Sequence, residues 1–460
     1  MRSGTWLIAC AMAWGCGEVK PATDAAVLPD AAPAPPPAPA GVTACRLVAS
    51  NRIYWPPVPG ATSYHVYMAT SAGVTAGSTQ VGTNVQSPFT HDGLTNDTAY
   101  FYRVTAVNAR GESIELSNEV TATPRAYVVP SNVLYAATDA ANTGTGAIFI
   151  WDDWTISPGT IPDRFLEEAP ANATTKLDRP STGSVFVDRL GGLLYVSNAG
   201  GSGTPARRIT IYEDAGELDG APAPSRVLEG GDLQDLRGIY VDTTRNLLYV
   251  ANRSPGAIAI YSDACNLAGT PAPAPRALIV GPSTGLNVVG QIAVDETRDL
   301  LYIANDIDIR VYGKASELRG PIINPPDRTL ELRDADANII ALEASGVSID
   351  PATDMLYIVH RGTTVAPPTD PGSSIFVVHD ASIAGSDVVV SRTITATTGS
   401  FDHPMAVHVA NNRLITSNDF GAENTINSWN NASTVSGVTS SQKTPASPYP
   451  FNFTTVFYVP

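Results

Sequence analysis

Residues 238–264 read GIYVDTTRNLLYVANRSPGAIAIYSDA. The stretch parses as three short strands, residues 239–241, 247–251 and 257–261. β-Branched and aromatic residues fill them, and Asp, Asn, Gly and Pro separate them, which is strand-and-turn chemistry. The second-strand signature appears six times after Pro124: Val133-Leu134-Tyr135-Ala136, Leu193-Leu194-Tyr195-Val196, Leu247-Leu248-Tyr249-Val250, Leu300-Leu301-Tyr302-Ile303, Met355-Leu356-Tyr357-Ile358 and Arg413-Leu414-Ile415-Thr416. The spacings are 60, 54, 53, 55 and 58 residues.

Each copy carries further marks. A third strand ends on an aromatic or apolar residue, then one free position, then Asp, Asn or Lys, then usually Ala, as in Tyr212-Glu213-Asp214-Ala215 and Trp429-Asn430-Asn431-Ala432. A glycine follows at Gly220, Gly269, Gly320, Gly385 and Gly437, and an outer strand opens on Arg164, Arg226, Arg276, Arg328 and Arg392. Four strands at a period near 55 residues make a propeller blade. Blades pack face to face, so their strands read as continuous apolar runs rather than strict alternation. Six copies predict a six-bladed β-propeller of four-stranded blades over residues 126–460. The pattern VDxxxxLLYVAN resembles the NHL and YVTN repeats of bacterial secreted proteins.

A ring needs closing. Phe457-Tyr458-Val459-Pro460 aligns with the inner-strand pattern of Val185-Phe186-Val187-Asp188, and Tyr127-Val128-Val129 aligns equally well with Val407-His408-Val409. The C-terminal segment is preferred as the innermost strand of the first blade.

Upstream, residues 42–125 show short strands with turn signals between them. Trp55, Tyr64-His65-Val66-Tyr67, Leu94 and Tyr100-Phe101-Tyr102-Arg103-Val104 resemble a fibronectin type III β-sandwich along the whole segment. The resemblance implies that Trp55 fills the core and that Leu94 and Tyr100 form a tyrosine corner. Arg110-Gly111-Glu112 resembles an integrin-binding tripeptide, with Glu where Asp is needed. The fold class is therefore all-β, a sandwich followed by a propeller.

The first 16 residues resemble a bacterial lipoprotein signal. Arg2 precedes the apolar run of residues 5–14, which is too short to span a bilayer, and Cys16 is the expected lipidated residue. Residues 17–41 are a Pro/Ala-rich linker ending APAPPPAPAG, expected to be disordered and extended. These features point to the bacterial cell envelope, as an outer-membrane lipoprotein held on the membrane by its acyl chains, or to secretion. With a formal net charge of -16 and no Lys/Arg-rich run, the chain would be repelled by phosphate backbones, and nucleic acid is excluded as a partner. Of four cysteines, Cys45 and Cys265 fall in different domains. An oxidising compartment would permit a bridge between them, and the sequence leaves that pairing open.

No phosphate loop, GxSxG elbow, HExxH, CxxC or EF-hand loop occurs. Asn198, Asn252, Asn305, His360 and Asn418 end second strands and are expected to ring one face of the propeller. Asp188, Asp242, Asp295 and Asp350 end first strands on the opposite face, where hairpin-turn chemistry explains them. Asp402 and His403 precede the last inner strand on the same face as His360, where two imidazoles and a carboxylate suit a divalent metal or a proton transfer. The inner-strand positions facing the axis are Phe186, Tyr240, Ala293, Ser348 and His408, a mostly apolar set. The leading expectation is a non-catalytic binding protein without a cofactor. Its loop face would take an envelope or extracellular protein, peptide or glycan. The alternative is a lactonase-, hydrolase- or lyase-like enzyme with Ca²⁺ or another metal at an axial site.

Overall fold

The computed structural model describes residues 34–127, 129–140, 146–154, 161–167, 176–177, 184–199, 207–362, 372–396, 404–418, 425–439, 442–443 and 451–460. Cys16, Asp402 and His403 lie outside the described residues, as do most residues of the expected face loops. The chain is all-β, and its two helical segments among the described residues are 3-10 turns, Pro282–Thr284 and Ala315–Glu317. No helix there is long and apolar enough to cross a membrane.

Residues 43–122 form two sheets. Thr43–Leu47, Ser50–Tyr54 and Phe89–Asp92 make one; Thr79–Val85, Ser63–Ala69, Tyr100–Asn108 and Gly111–Glu112 make the other, with Val120–Ala122 paired to Tyr100–Asn108. Ile53, Trp55, Val66, Tyr102 and Val104 share one buried core. The Thr95 amide donates to the Tyr100 hydroxyl at 3.1 Å, which satisfies a corner amide as the tyrosine-corner reading requires. Pro36 and Pro39, at the end of the expected disordered linker, are buried, and the Ala34 carbonyl accepts from Asn108 at 3.1 Å. The last linker residues thus lie against the protein. Glu112 is held by Tyr67 at 2.6 Å, so the Arg-Gly-Glu carboxylate is engaged within the sheet.

The described remainder of the chain is a β-propeller of six sheets, each antiparallel over its first four strands. Blade 3 shows why. Leu236–Asp242, Leu247–Asn252, Ala257–Ser262 and Ala277–Ile279 pair in that order, inside to outside. Along the second strand, Leu248 and Val250 enter the core shared with blade 2, while Leu247, Tyr249 and Ala251 enter the core shared with blade 4. The period of two persists, but both faces are covered, so every residue is apolar or sequestered. Phe451–Val459 pairs antiparallel with Val133–Ala140 and supplies the innermost strand of blade 1. The preferred closing segment is therefore the one used. Tyr127 instead packs over Gly192, whose φ is +67°, and its hydroxyl accepts from the Gly216 amide. Inner strands touch their neighbours all the way round, from blade 1 through blade 6 and back.

The repeated motif residues are the blade-to-blade fastenings. Tyr135 donates to the Ala215 carbonyl of the next blade at 2.9 Å, and Tyr195 to Ala264 at 3.2 Å. Each such alanine is buried, because a larger side chain would displace the incoming phenol. Its own amide donates back to the turn before its blade's second strand, as from Ala264 to Asn246 at 3.2 Å and from Ala432 to Asn412 at 2.9 Å. The outer-strand arginines reach across in the same direction: Arg164 to Leu218 at 2.7 Å, Arg276 to Ser316 at 2.8 Å, Arg328 to Ala384 at 2.8 Å and Arg392 to Val435 at 2.7 Å. The following glycines sit where an outer strand pairs in parallel with the next blade, Gly220 against Leu166 and Gly320 against Ala277.

The two parts of the chain are joined by a Cys45–Cys265 disulfide, which answers the pairing left open by the sequence. Around it, Tyr54 donates to the Thr243 carbonyl at 2.8 Å, Asn266 to the Ala44 carbonyl at 3.0 Å, and Asn246 to the Thr43 hydroxyl at 3.2 Å. Thr243 and Asn246 belong to a first-to-second-strand turn. The sandwich therefore sits on the rim opposite the second-strand ends.

Candidate functional site

The inner strands converge on an axial cavity of about 220 Å³. Phe186, Tyr240, Ala293, Ser348 and His408 all line it, as the inner-strand pattern predicts, and the closing strand adds Phe457. Aromatic rings fill much of its wall: Phe186 lies 4.8 Å from Phe457 and 5.1 Å from Tyr240, and His408 lies 4.5 Å from Phe457 between centroids. Near the start of the inner strands the backbones crowd. A side chain at Gly238 would meet the Ile292 amide at 2.8 Å, and one at Gly290 the Ser345 carbonyl at 2.4 Å.

Polar groups in this cavity are committed to the scaffold. His408 Nε2 meets the Tyr458 carbonyl at 3.1 Å, which makes it the protonated nitrogen. Burial holds the imidazole pKa down to about 4, and the carbonyl only partly offsets this. Ser348 accepts from the Val409 amide at 3.1 Å. Gln291 was not singled out from the sequence. Its Oε1 accepts from Val347 and Val407, each at 3.2 Å, so one side chain of blade 4 ties blades 5 and 6 together. The available signal was a lone amide in the row otherwise occupied by Gly238, Gly346 and Ala406. No Asp or Glu lines the cavity among the described residues.

Asn198, Asn252, Asn305, His360 and Asn418 do end second strands, and all five are buried. They hydrogen-bond within the protein. Asn252 accepts from Gln234 N at 2.8 Å and donates to Asp232 O at 3.0 Å; Asn305 accepts from Asn287 N at 2.8 Å and donates to Gly285 O at 3.2 Å. His360 Nδ1 accepts from the Glu343 amide at 3.0 Å. Asn198 and Asn418 donate to Thr210 and Thr425 hydroxyls at 3.2 and 3.1 Å. The expected open polar ring is thus turned inward. Each loop entering an inner strand has buried backbone groups that need partners, and several of these side chains supply them. The Asp set does what the turn reading expects. Asp188 accepts from Gly191 N at 2.9 Å, Asp242 from Arg245 N at 2.7 Å, Asp295 from Thr297 N at 2.9 Å and Asp350 from Ala352 N at 3.1 Å. Burial, with Glu296 nearby, pushes the Asp242 carboxyl up to about 7.

Among the described residues, one group of three metal-type ligands converges, Cys45, Asp263 and Cys265, and its two sulfurs are bonded to each other. Bonded sulfurs do not act as thiolate ligands.

No protein-family model matches the chain, and no curated protein matches it. Among solved structures, a fibronectin-type-III-like protein from Clostridium thermocellum is 30% identical, over 19% of this chain and 93% of that one, with a TM-score of 0.18. A putative 6-phosphogluconolactonase from Bacteroides uniformis is 13% identical, over 64% and 77%, with a TM-score of 0.39. The WD40 domain of Toxoplasma gondii coronin is 9% identical, over 72% and 70%, with a TM-score of 0.36. These scores carry no argument about activity, and the fold rests on the strand pairing itself.

Proposed function

We propose that this protein is a non-catalytic, envelope-anchored binding lipoprotein that recognises a protein, peptide or glycan through the loop face of its propeller. In this reading residues 1–16 are a signal, Cys16 carries the lipid, residues 42–125 are a fibronectin type III domain, and the blades are NHL/YVTN-like repeats. The observation that carries it is the sandwich fastened to the opposite rim by Cys45–Cys265. The sandwich occupies part of one face of the ring, over blades 2, 3 and 4, and in this reading the opposite face is left to the longer loops. Loops on a rigid scaffold are where recognition concentrates. A structural disulfide persists in oxidising compartments, which agrees with export.

The test uses the purified full chain on peptide and glycan arrays, with shortened Gly-Ser replacements of residues 363–371 and 419–424. Loss of a saturable signal in either replacement supports the reading. Stoichiometric Ca²⁺ or Zn²⁺ that disappears in Asp402→Ala/His403→Ala would overturn it in favour of the metal-assisted enzyme. For the anchor, Cys16→Ser should shift the protein from the membrane fraction to the soluble fraction.

A further inference from the structure

We infer that the cleft between the sandwich and blades 3 and 4 is a separate binding site, and that it takes a carboxylate-bearing sugar. It lies on the rim away from the loop face and does not rest on the function proposed above.

The cleft encloses about 520 Å³, within the roughly 300–1,000 Å³ usual for small-molecule sites, which favour domain junctions. The sandwich contributes an apolar wall of Tyr54, Trp55, Pro57 and Tyr64. The propeller contributes Arg245, Arg276 and Arg319. Arg245 is paired with Asp242 at 2.9 Å. The other two are not. Arg276 Nη2 donates to the Ser316 carbonyl at 2.8 Å, and Arg319 Nη1 donates to that same oxygen at 3.0 Å. Two cationic heads therefore stand side by side on one neutral acceptor, and neither forms an ion pair among the described residues.

That juxtaposition costs Coulomb energy which a carboxylate would relieve. The chain carries 44 acidic residues against 28 Lys and Arg, so acids were available to fill the place. Of the two acids in the cleft lining, Asp263 is engaged by Asn246 at 3.0 Å and Asn266 at 2.8 Å, and burial raises its pKa. Glu317 is exposed and pairs with neither arginine. Guanidinium forks match a planar carboxylate. The exposed rings of Pro56 and Pro57, backed by the buried Tyr54, Trp55 and Tyr64, give the C–H face of a sugar ring an apolar surface to lie on, and Gln86, Thr244 and Ser262 offer neutral partners for its hydroxyls. Trp55 keeps a buried indole N–H with no acceptor among the described residues.

The experiment is calorimetric titration of the full chain with digalacturonic acid, and with neutral galactobiose as control. The acid should bind saturably and the neutral disaccharide should bind at least about tenfold more weakly, the loss of a charge-assisted hydrogen bond. Arg319→Gln, an exposed position that leaves the fold intact, should weaken the acid by about tenfold or more. The loop replacements at residues 363–371 and 419–424 should leave this binding unchanged, which separates its fate from that of the loop face. No saturable binding, equal binding of the neutral disaccharide, or an unchanged affinity in Arg319→Gln would overturn the site. Displacement of the acid by equimolar inorganic phosphate would overturn the sugar assignment.

Discussion

Removing the Cys45–Cys265 bridge should weaken the protein and release the sandwich from the propeller. The two cysteines are 220 residues apart in sequence. Closing a loop of that length in the unfolded chain corresponds to about 5 kcal/mol in the chain-entropy account, with 2–4 kcal/mol typical in practice. Each polar contact around the bridge supplies less. The hydrogen bonds from Tyr54, Asn246 and Asn266 contribute about 1 kcal/mol each. Arg46 and Arg125 both pair with Glu213, at 3.0 and 3.1 Å near the surface, and such pairs contribute below about 1 kcal/mol. The covalent link is therefore comparable with all the pairwise polar contacts at the junction taken together, and no single one of them equals it. The assay is urea unfolding of the full chain followed by tryptophan fluorescence, oxidised and as Cys45→Ser/Cys265→Ser. We expect a loss of roughly 2–5 kcal/mol and a single transition that separates into two. An unchanged midpoint with one transition, both sulfurs being absent, would refute the reasoning.

Three further outcomes are expected. His408 has a folded pKa held down to about 4 against an unfolded value of about 6.5. Its stabilising contribution is complete above pH 6.5 and is lost as pH falls toward 4, in all about 3 kcal/mol. Asp242, with its pKa raised to about 7, acts in the opposite sense, so the measurement is the wild-type slope of stability against pH minus that of His408→Phe. An identical slope in the two proteins would remove the argument. Deleting residues 451–460 takes away Phe453, Val456, Tyr458 and Val459, all essentially buried. At about 1.5–3 kcal/mol per side chain the loss matches the whole stability of a typical domain, and a circular-dichroism melt should lose its cooperative transition. Asn305→Ala strands the Asn287 amide and the Gly285 carbonyl and should cost about 1–3 kcal/mol in urea unfolding. A neutral result there would return Asn305 to the candidates for ligand contact.

The blades were legible because every repeated residue has a repeated mechanical reason. The Tyr of LLYV, the Ala after the third strand and the outer-strand Arg recur at a period near 55 because they fill the same places between blades: every repeat tyrosine is buried, those of blades 1 and 2 donate to the alanine carbonyl of the next blade, and four of the arginines reach a carbonyl of the next blade. The closing strand was legible for the same cause, since Phe457-Tyr458-Val459 repeats the inner-strand pattern. The disulfide was not legible: no periodicity relates Cys45 to Cys265, and only the docking of the sandwich on blade 3 brings them together. Gln291 was missed because its partners, Val347 and Val407, belong to two other blades.

The Asn series shows where repeat-based inference misleads about chemistry. A side chain that recurs in blade after blade answers a demand made in blade after blade, and in blades 3, 4 and 5 that demand is unpaired backbone at the entry to the inner strand. A binding site on a ring of near-identical sheets must break the repetition, since one ligand meets the blades unequally. The crowded arginines fit that requirement. Arg276 opens an outer strand like its counterparts in other blades and reaches the neighbouring blade as they do. Among the described residues, only here does a second guanidinium, from Arg319, share the carbonyl it reaches. The departure from the repeat is what distinguishes a group with a ligand to meet from a group with a blade to hold.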